Sequence, residues 1–419
     1  MSIPTASSGG KHIMIILADD LSGAQECIAA ASWLPVGGIG ESVPASAAVL
    51  LDTNHGFSDA EVLSADINSR CLSATDSVAR TQHAMELLKN SERNSGDAHQ
   101  VFFKFDSLLR GNIAAQLGAA SQALGPVVFC PTVPALNRVV NGGVVRVNGV
   151  PLHDTGLWHL EPEFAPESVS AIFNGLEVIQ VSLDQVRSGE LASVLKSVSP
   201  DTQVVISDAE TDEDLDMLAT AIQESRLAAA GASGLCAALA RVLPPATTAP
   251  VMELDIAVDR KEDSGDADAL FVIGTASEQA RAQVKRLSKE GIPVVAWQPG
   301  SSAELPDGDC VVTVSGPIRS GASAEIDQRL AQLVASNHRG RDLFLTGGQT
   351  ARSILDALEI TQLDPLSQPE FGTVISRTPN GRLIATRPGS FGSTDNLLLS
   401  FRAFKHLRAQ YAPNERTSS

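Results

Sequence analysis

Short apolar runs of four to six residues recur along the chain, each followed by a polar or glycine-bearing turn and a stretch with helical spacing. In the N-terminal half these runs are IMIIL (13–17), AAVLL (47–51), VFFKF (101–105), PVVFC (126–130), EVIQV (177–181) and QVVIS (203–207). Helix-period segments at 76–90, 111–123, 183–197 and 212–230 fall between most of them. Runs apolar on both faces, alternating with helices, predict βαβ units and a mostly parallel, buried sheet. The exception lies between 138 and 152, where RVVNGGVVRVNGV predicts a hairpin closed around Asn141-Gly142.

After a helix at 234–242 the pattern breaks. PPATTAP (244–250) and the charged DRKEDSGDAD (259–268) combine proline, small polar residues and charge, the signature of a linker or exposed crossover. A second alternating series follows: ALFVIG (269–274), IPVVAW (292–297), CVVTV (310–314) and DLFLT (342–346). GTVISRTPNGRLIAT (372–386) predicts a strand pair turning at Asn380-Gly381, and a last helix covers 394–409. The expected organisation is therefore two α/β domains with mostly parallel sheets, at 1–245 and 269–419, joined by a linker at 246–268.

Composition narrows the function. A chain of 419 residues with 43% apolar content can bury two cores. Aromatics make up 4%, with one Tyr, too few for the base-stacking platforms of a nucleic-acid binder. The net charge of −18 repels polyphosphate backbones and anionic membranes alike. A protein with that surface binds small anions only by placing its few cations deliberately. The five cysteines (Cys27, Cys71, Cys130, Cys236, Cys310) are scattered without a CxxC pair, which fits reduced thiols. The polar start and the lack of any apolar run near ~18 residues make the cytoplasm the expected location, with no membrane partner. A homodimer is the default assembly on base rates alone.

In open α/β sheets ligands sit beyond the carboxyl ends of the strands, so the chemistry is sought there. The first strand ends in ADDLSGAQE (18–26), with Asp19 and Asp20 side by side before a helix. Ser22 and Gln25 have capping-box spacing, and acids before a helix suit its dipole. Two adjacent carboxylates exceed what a cap needs, and could hold hydroxyls, act as a base or hold Mg²⁺ through water. The third run leads into KFDSLLRGN (104–112), which gathers Lys104, Asp106, Arg110 and Asn112 around a glycine. An Asp106–Arg110 surface pair alone would contribute about 1 kcal/mol or less. A lysine inside a buried strand, by contrast, is costly unless its ammonium has a partner. PTVPALNR (131–138) adds Arg138, either a carboxylate clamp or part of a rigid loop feeding the hairpin.

The second series carries three strand-to-helix loops. In GTASEQA (274–280), Thr275 and Glu278 have capping-box spacing. LTGGQTA (345–351) opens a helix with Gly347, Gly348, Gln349 and Thr350, exposing backbone N–H groups at the positive end of a dipole, which suits phosphate. TRPGSFGSTD (386–395) places Gly389 and Gly392 around Phe391. None fits GxxxxGK[ST] or GxGxxG, so the chain has neither a P-loop nor a Rossmann fingerprint. The eight histidines show no metal-ligand spacing, and no G-x-S-x-G elbow is present.

Taken together and in order, these motifs resemble the four-carbon acid sugar kinases. ADDLSGA is similar to that family's DDLTGA opening, and KFDSLLRGN to its KxDSTLRGN segment. NGGVVRVNGVPLHDT (141–155), SDAETDEDL (207–215) and AGASGL (230–235) resemble its later segments, and GTAS, TGGQT and PGSFG its ATP loops. The resemblance implies an N-terminal domain for a sugar acid such as threonate, erythronate or an oxo-tetronate, and a C-terminal domain for ATP with Mg²⁺. An active-site cleft between the domains and transfer to a terminal hydroxyl are implied with it. By motif position Asp19, Asp20, Lys104, Asp106, Arg110 and Asn112 fall in the sugar-acid half. Ser277, Gly347, Gly348, Gln349, Thr350 and Gly389 fall in the nucleotide half.

Three positions depart from the family pattern. Gln25-Glu26 stands where the family has Asn-Asp, Gln349 where it has Glu, and Arg387 where it has Lys. As a kinase the chain would use Arg110, with Lys104 or Arg138, on the substrate carboxylate or the moving phosphoryl. Asp20 or Asp106 would take the hydroxyl proton; the sequence does not choose. The departures also motivate an alternative, a non-catalytic ATP and sugar-acid binding protein on the same fold.

Overall fold

The computed structural model describes residues 13–32, 47–51, 60–95, 99–159, 161–243, 267–274, 277–301, 303–315, 323–389 and 392–411. These divide into two compact units, one within 13–243 and one within 267–411. The linker expected at 246–268 lies outside the described residues except for its last two.

The first unit begins β1 (Met14–Ala18), α1 (Leu21–Ala31), β2 (Ala47–Leu50), β3 (Val62–Asp66), α2 (Ala74–Ser95), β4 (Gln100–Lys104), α3 (Ile113–Leu124) and β5 (Val127–Cys130). An antiparallel hairpin sheet follows, made of β6 (Arg138–Asn141), β7 (Val144–Val147) and β8 (Val150–Pro151). The unit closes with β9 (Val178–Val181), α4 (Leu183–Arg187), α5 (Leu191–Lys196), β10 (Val204–Ser207), α6 (Asp212–Ser225), β11 (Ala228–Gly231) and α7 (Ser233–Val242). Its main sheet runs β2-β3-β1-β4-β11-β5-β10-β9, and every pair in it is parallel.

Parallel strands covered on both faces must be apolar throughout, and β1 is buried at all five positions. Phe103, Phe105, Phe129 and Phe173 pack with Ile15, Leu17 and Leu117 in one core. Phe129 and Phe173 meet edge-on at 5.4 Å. Each such ring contributes about 1.5–3 kcal/mol by burial. This core fixes where β1 and β4 end, and so where Asp19, Asp20 and Asp106 stand.

The second unit holds β12 (Ala269–Ile273), α8 (Glu278–Ser288), β13 (Val294–Trp297), β14 (Cys310–Val314), α9 (Ser323–Asn337), β15 (Asp342–Thr346) and α10 (Gly348–Ala357). It ends with β16 (Gln362–Glu370), β17 (Thr373–Arg377), β18 (Leu383–Arg387) and α11 (Asn396–Tyr411). Strands β13-β14-β12-β15-β18 are parallel, while β17 and β16 continue antiparallel. Phe271 stacks on Phe344 at 5.3 Å in its core.

Several local expectations are corrected. The helix expected over 212–230 stops at Ser225, and 228–231 is the central strand β11. Alanine favours helix intrinsically, but pairing with β4 and β5 overrides that preference. Its end requires glycine: a Cβ on Gly231 would lie 2.0 Å from the Cys130 carbonyl oxygen. The helix expected at 183–197 breaks into α4 and α5 around Gly189. The hairpin turns on Gly142-Gly143, both at positive φ, not on Asn141-Gly142, because Asn141 already pairs with Val144. Among the described residues no helix is long and apolar enough to cross a membrane.

Candidate active site

Helix α1 starts one residue after the paired acids, and Asp20 is its N-cap, accepting from Gly23 N at 2.8 Å. The capping box expected from Ser22 and Gln25 is therefore not the start of this helix; both lie inside it and are buried. The other Asp20 oxygen takes a hydrogen bond from Arg70 Nη1 at 2.6 Å. Asp19 receives Arg70 in bidentate form, Nε at 2.8 Å and Nη2 at 2.6 Å. The backbone supports this clamp, since Ser69 N and Arg70 N both donate to the Asp19 carbonyl. Burial pushes the Asp19 carboxyl upward against the pull of Arg70. Burial also opposes charge on Arg70, but the fields of Asp19 and Asp20 outweigh it and hold the guanidinium charged.

Arg70 was missed by the sequence reading. Its strand, β3, reads VLSAD, a run interrupted by Ser64 and so not counted as apolar. The available signal was DINSR (66–70), a polar strand end of the same kind as ADDLSG and KFDSLLRGN.

Strand β4 delivers the second half of the site. The side chain of Lys104 is 5% exposed, and its Nζ lies 3.4 Å from Glu26 Oε2. Ser233 Oγ donates to the other Glu26 oxygen at 2.6 Å. Burial disfavours the ammonium, but Glu26 foremost reverses this and raises the Lys104 pKa. Lys104 thus has the partner that its buried position demands. A Cβ on Gly23 would lie 3.0 Å from Lys104 Nζ and 2.9 Å from Asp20 Oδ1, so the two acidic motifs meet at this glycine.

Beyond β4, Asp106 is buried and both its oxygens are held by Arg110, through Nε to one and Nη2 at 3.1 Å to the other. Burial pushes Asp106 up, and the Arg110 hydrogen bonds with the Arg70 charge pull it well below the ordinary carboxylate range. Arg110 is the open member of the set at 34% side-chain exposure, and its Nη1 also lies 3.9 Å from Glu161. Arg138 donates to Ser107 Oγ at 2.7 Å, and burial lowers its pKa against the fields of Asp106 and Glu26. Asn112 Nδ2 ties the loop to the Leu72 carbonyl at 2.8 Å. Gly111 lets the loop close on the acids: a Cβ there would lie 3.2 Å from Arg70 and 3.5 Å from Asp19. All seven expected sugar-half residues, Asp19, Asp20, Lys104, Asp106, Arg110, Asn112 and Arg138, therefore belong to one neighbourhood, with Arg70 and Glu26 added.

Two other motifs prove to be scaffolding. Asp208 accepts from Gly142 N and Gly143 N and so pins the hairpin turn. Asp214 caps α6 with Thr211 and holds Arg187 in bidentate form.

In the second unit Gly347 is the N-cap of α10 at φ +83°, and its N–H donates to the Arg387 carbonyl at 2.9 Å. Gly348, Gln349 and Thr350 form the first turn. The Thr350 hydroxyl donates to Asp327 of α9 at 2.6 Å. Gly274 passes so near that a Cβ would lie 2.7 Å from that hydroxyl. Ser277 is the N-cap of α8, accepting from Ala280 N at 3.1 Å; this corrects the expected Thr275–Glu278 box, and Thr275 lies outside the described residues. Gly392 sits against Asn396, and its carbonyl accepts from Gln279 and Gln283 of α8. Gly389 lies in the turn after β18, while Phe391 lies outside the described residues. Arg387 is buried over the Phe344 ring at 5.7 Å, and burial lowers its pKa to about 10. The loops after β12, β15 and β18 thus converge at the carboxyl edge of one parallel sheet, the place where such sheets bind ligands.

Fold and sites define a class: an α/β unit with a buried, charged cluster beyond its strand ends, followed by an α/β unit with glycine loops at helix starts. Residues 14–239 match a sugar-binding N-terminal domain and 304–397 a nucleotide-binding C-terminal domain. The chain belongs to the four-carbon acid sugar kinase family. It is 30% identical over 427 residues to the D-threonate kinase of Cupriavidus necator, covering 95% of this chain and 99% of that one. It is 28% identical over 334 residues to the D-threonate kinase of Salmonella typhimurium, covering 76% and 69%. The crystal structure of the Haemophilus influenzae protein HI1011 shares the fold at TM-score 0.67 and 18% identity, over 92% of this chain and 98% of that one.

Proposed function

We propose that this protein is an ATP-dependent kinase that phosphorylates a hydroxyl of a four-carbon sugar acid of the threonate, erythronate or 3-oxo-tetronate class. The observation that carries the reading is the set of buried carboxylates and cations at the ends of β1 and β4, in the half of the chain that matches a sugar-binding domain. Its relatives named for D-threonate and 3-oxo-tetronate phosphorylation set the substrate class. The first domain is assigned to 1–245 and the nucleotide domain to 269–419, with the cytoplasm as the working location.

The roles follow from access. Arg110 is more open than Arg70 or Lys104 and takes the substrate carboxylate, with Arg138 beside the same loop; Lys104 is committed to Glu26. Asp106 orients the hydroxyl and accepts its proton. Asp20 suits that role less, because one oxygen caps a helix and the cation on the other, Arg70, is more buried than the Arg110 on Asp106. Asp19, Asp20 and Asn112 fix the framework around the sugar acid. Backbone N–H groups at Gly348 and Gly389 hold the phosphates, with Gln349, Thr350, Gly392 and Ser277 around them and Gly347, its N–H on the Arg387 carbonyl, setting the turn. Phosphoryl transfer asks mainly for positioning, which supplies roughly 7–11 kcal/mol in favourable cases, while base assistance adds about 100- to 10,000-fold.

Mg²⁺ arrives on ATP and needs only one or two protein carboxylates. Asp327, half-buried and bonded to Thr350 at the phosphate end of α10, fits that need. When bound, the ion would neutralise phosphate charge.

A coupled ADP-release assay with Mg-ATP against D- and L-threonate, D- and L-erythronate and their oxo forms tests the reading. Acid-dependent ADP release on one of them is the expected result. ATP binding without release on any would return the chain to a binding role.

A further inference from the structure

A sugar acid brings a negative charge to a place where the carboxylates already hold cations. Asp19 and Asp20 hold Arg70, Glu26 faces Lys104, and Asp106 holds Arg110. Apart from Arg138, which donates to Ser107, the cations named here are held by carboxylates, so an incoming carboxylate takes its cation from a resident acid. Arg70 is 19% exposed and makes three short hydrogen bonds, and Lys104 is 5% exposed. Arg110, at 34%, is the accessible fork, and its geometry suits bidentate binding of a second carboxylate.

Resting on the kinase reading, we propose that the substrate carboxylate displaces Asp106 from Arg110, and that this exchange of partners arms Asp106 as the base. In the resting site the Arg110 guanidinium bonds both Asp106 oxygens and holds the carboxylate well below the basicity a proton acceptor needs. Once the Arg110 guanidinium turns to the acid, Oδ1 loses its Arg110 hydrogen bond and accepts from the hydroxyl, while the Arg110 backbone N–H stays on Oδ2. Burial then pushes Asp106 upward against Arg70, Lys104 and the nearby Arg138, without the two Arg110 bonds that held it down. The hydroxyl oxygen attacks the γ-phosphorus, and the β–γ bridging P–O bond breaks. Its electron pair leaves on the β-phosphate of ADP, and the proton passes to Asp106. A polyol lacking the carboxylate leaves Arg110 on Asp106, and water alone does the same. The exchange thus makes the acid group a condition of turnover, not only of affinity.

The test compares D-threonate with threitol, in which CH₂OH replaces the carboxylate, on wild type and Arg110→Ala. In wild type threitol should lose kcat as well as affinity. In Arg110→Ala the ratio of kcat/KM for threonate over threitol should collapse by at least about 100-fold, the loss of a bidentate charged contact. Threitol turnover should rise, because Asp106 is freed in advance. An equal loss on both substrates would overturn the exchange and leave Arg110 structural. Wild-type pH profiles give a second readout that needs no variant. The acid limb of kcat should lie at least about one pH unit above that of kcat/KM, since the complex contains the freed Asp106. Coincident limbs would overturn the exchange while leaving the kinase reading intact, whereas no turnover of any four-carbon acid would overturn both.

Discussion

In the first unit the anion site is made of side-chain charges, each held by another: Arg70 on Asp19 and Asp20, Lys104 beside Glu26, Arg110 on Asp106. In the second unit the corresponding loops offer mainly backbone, with Gly347 at a helix start, Gly274 against Thr350 and Gly392 against Asn396. Side-chain pairs can trade partners when a ligand arrives, so they can discriminate among small acids. Helix-start N–H groups are fixed by the fold and bind any phosphate of the right shape. A chain of net charge −18 can build the second kind of site without adding cations.

The contrast predicts where substitutions act, beginning with the largest effect. Arg70→Ala leaves two buried carboxylates without their cation and should destabilise the protein by about 3–5 kcal/mol in denaturant titration. A change below about 1 kcal/mol would mean that the Asp19 and Asp20 pair does not depend on it. Asp106→Asn should lower kcat at least about 100-fold with ATP affinity unchanged; near-normal kcat would move the base to Asp20. Gly347→Ala forces a side chain into a region nearly reserved for glycine, at about 1–3 kcal/mol. It should weaken ATP binding about tenfold by calorimetry and leave sugar-acid binding intact. Equal losses for both ligands would erase the distinction between the two sites.

The smallest effect is in acid stability. Because Asp106 is held below its ordinary pKa, the Asp106–Arg110 pair stabilises fully above the ordinary carboxylate pKa of about 3.9 and is lost as pH falls through the lower folded value. The stability difference between wild type and Asp106→Asn should be constant from about pH 7 to 5 and shrink below about pH 4. With Arg110 partly exposed, it amounts to about 1 kcal/mol or less. A difference that grows on acidification would reverse the sign assigned to Asp106.

The strands just before Asp19-Asp20 and Asp106 were legible because IMIIL and VFFKF are strongly apolar runs before polar loops. The glycine loops were legible because two glycines at a helix start have few other uses. Strand β11 was not, since AAAG carries no β preference and is a strand only through its neighbours. Strand β16, with Pro365 and Pro369, has an irregular register that no alternation announces.

By itself the sequence determined the alternation that makes two α/β units, the placement of acids and cations at strand ends, and the absence of a P-loop. These are local properties, set by side-chain periodicity and turn chemistry within a few residues. Only the tertiary structure decided that Arg70, 50 residues beyond Asp20, clamps the paired acids, that Glu26 faces Lys104, and that Asp106 rests under Arg110. Which charge meets which depends on strand order in the sheet, and that order is fixed by burial of the whole core, not by any one segment.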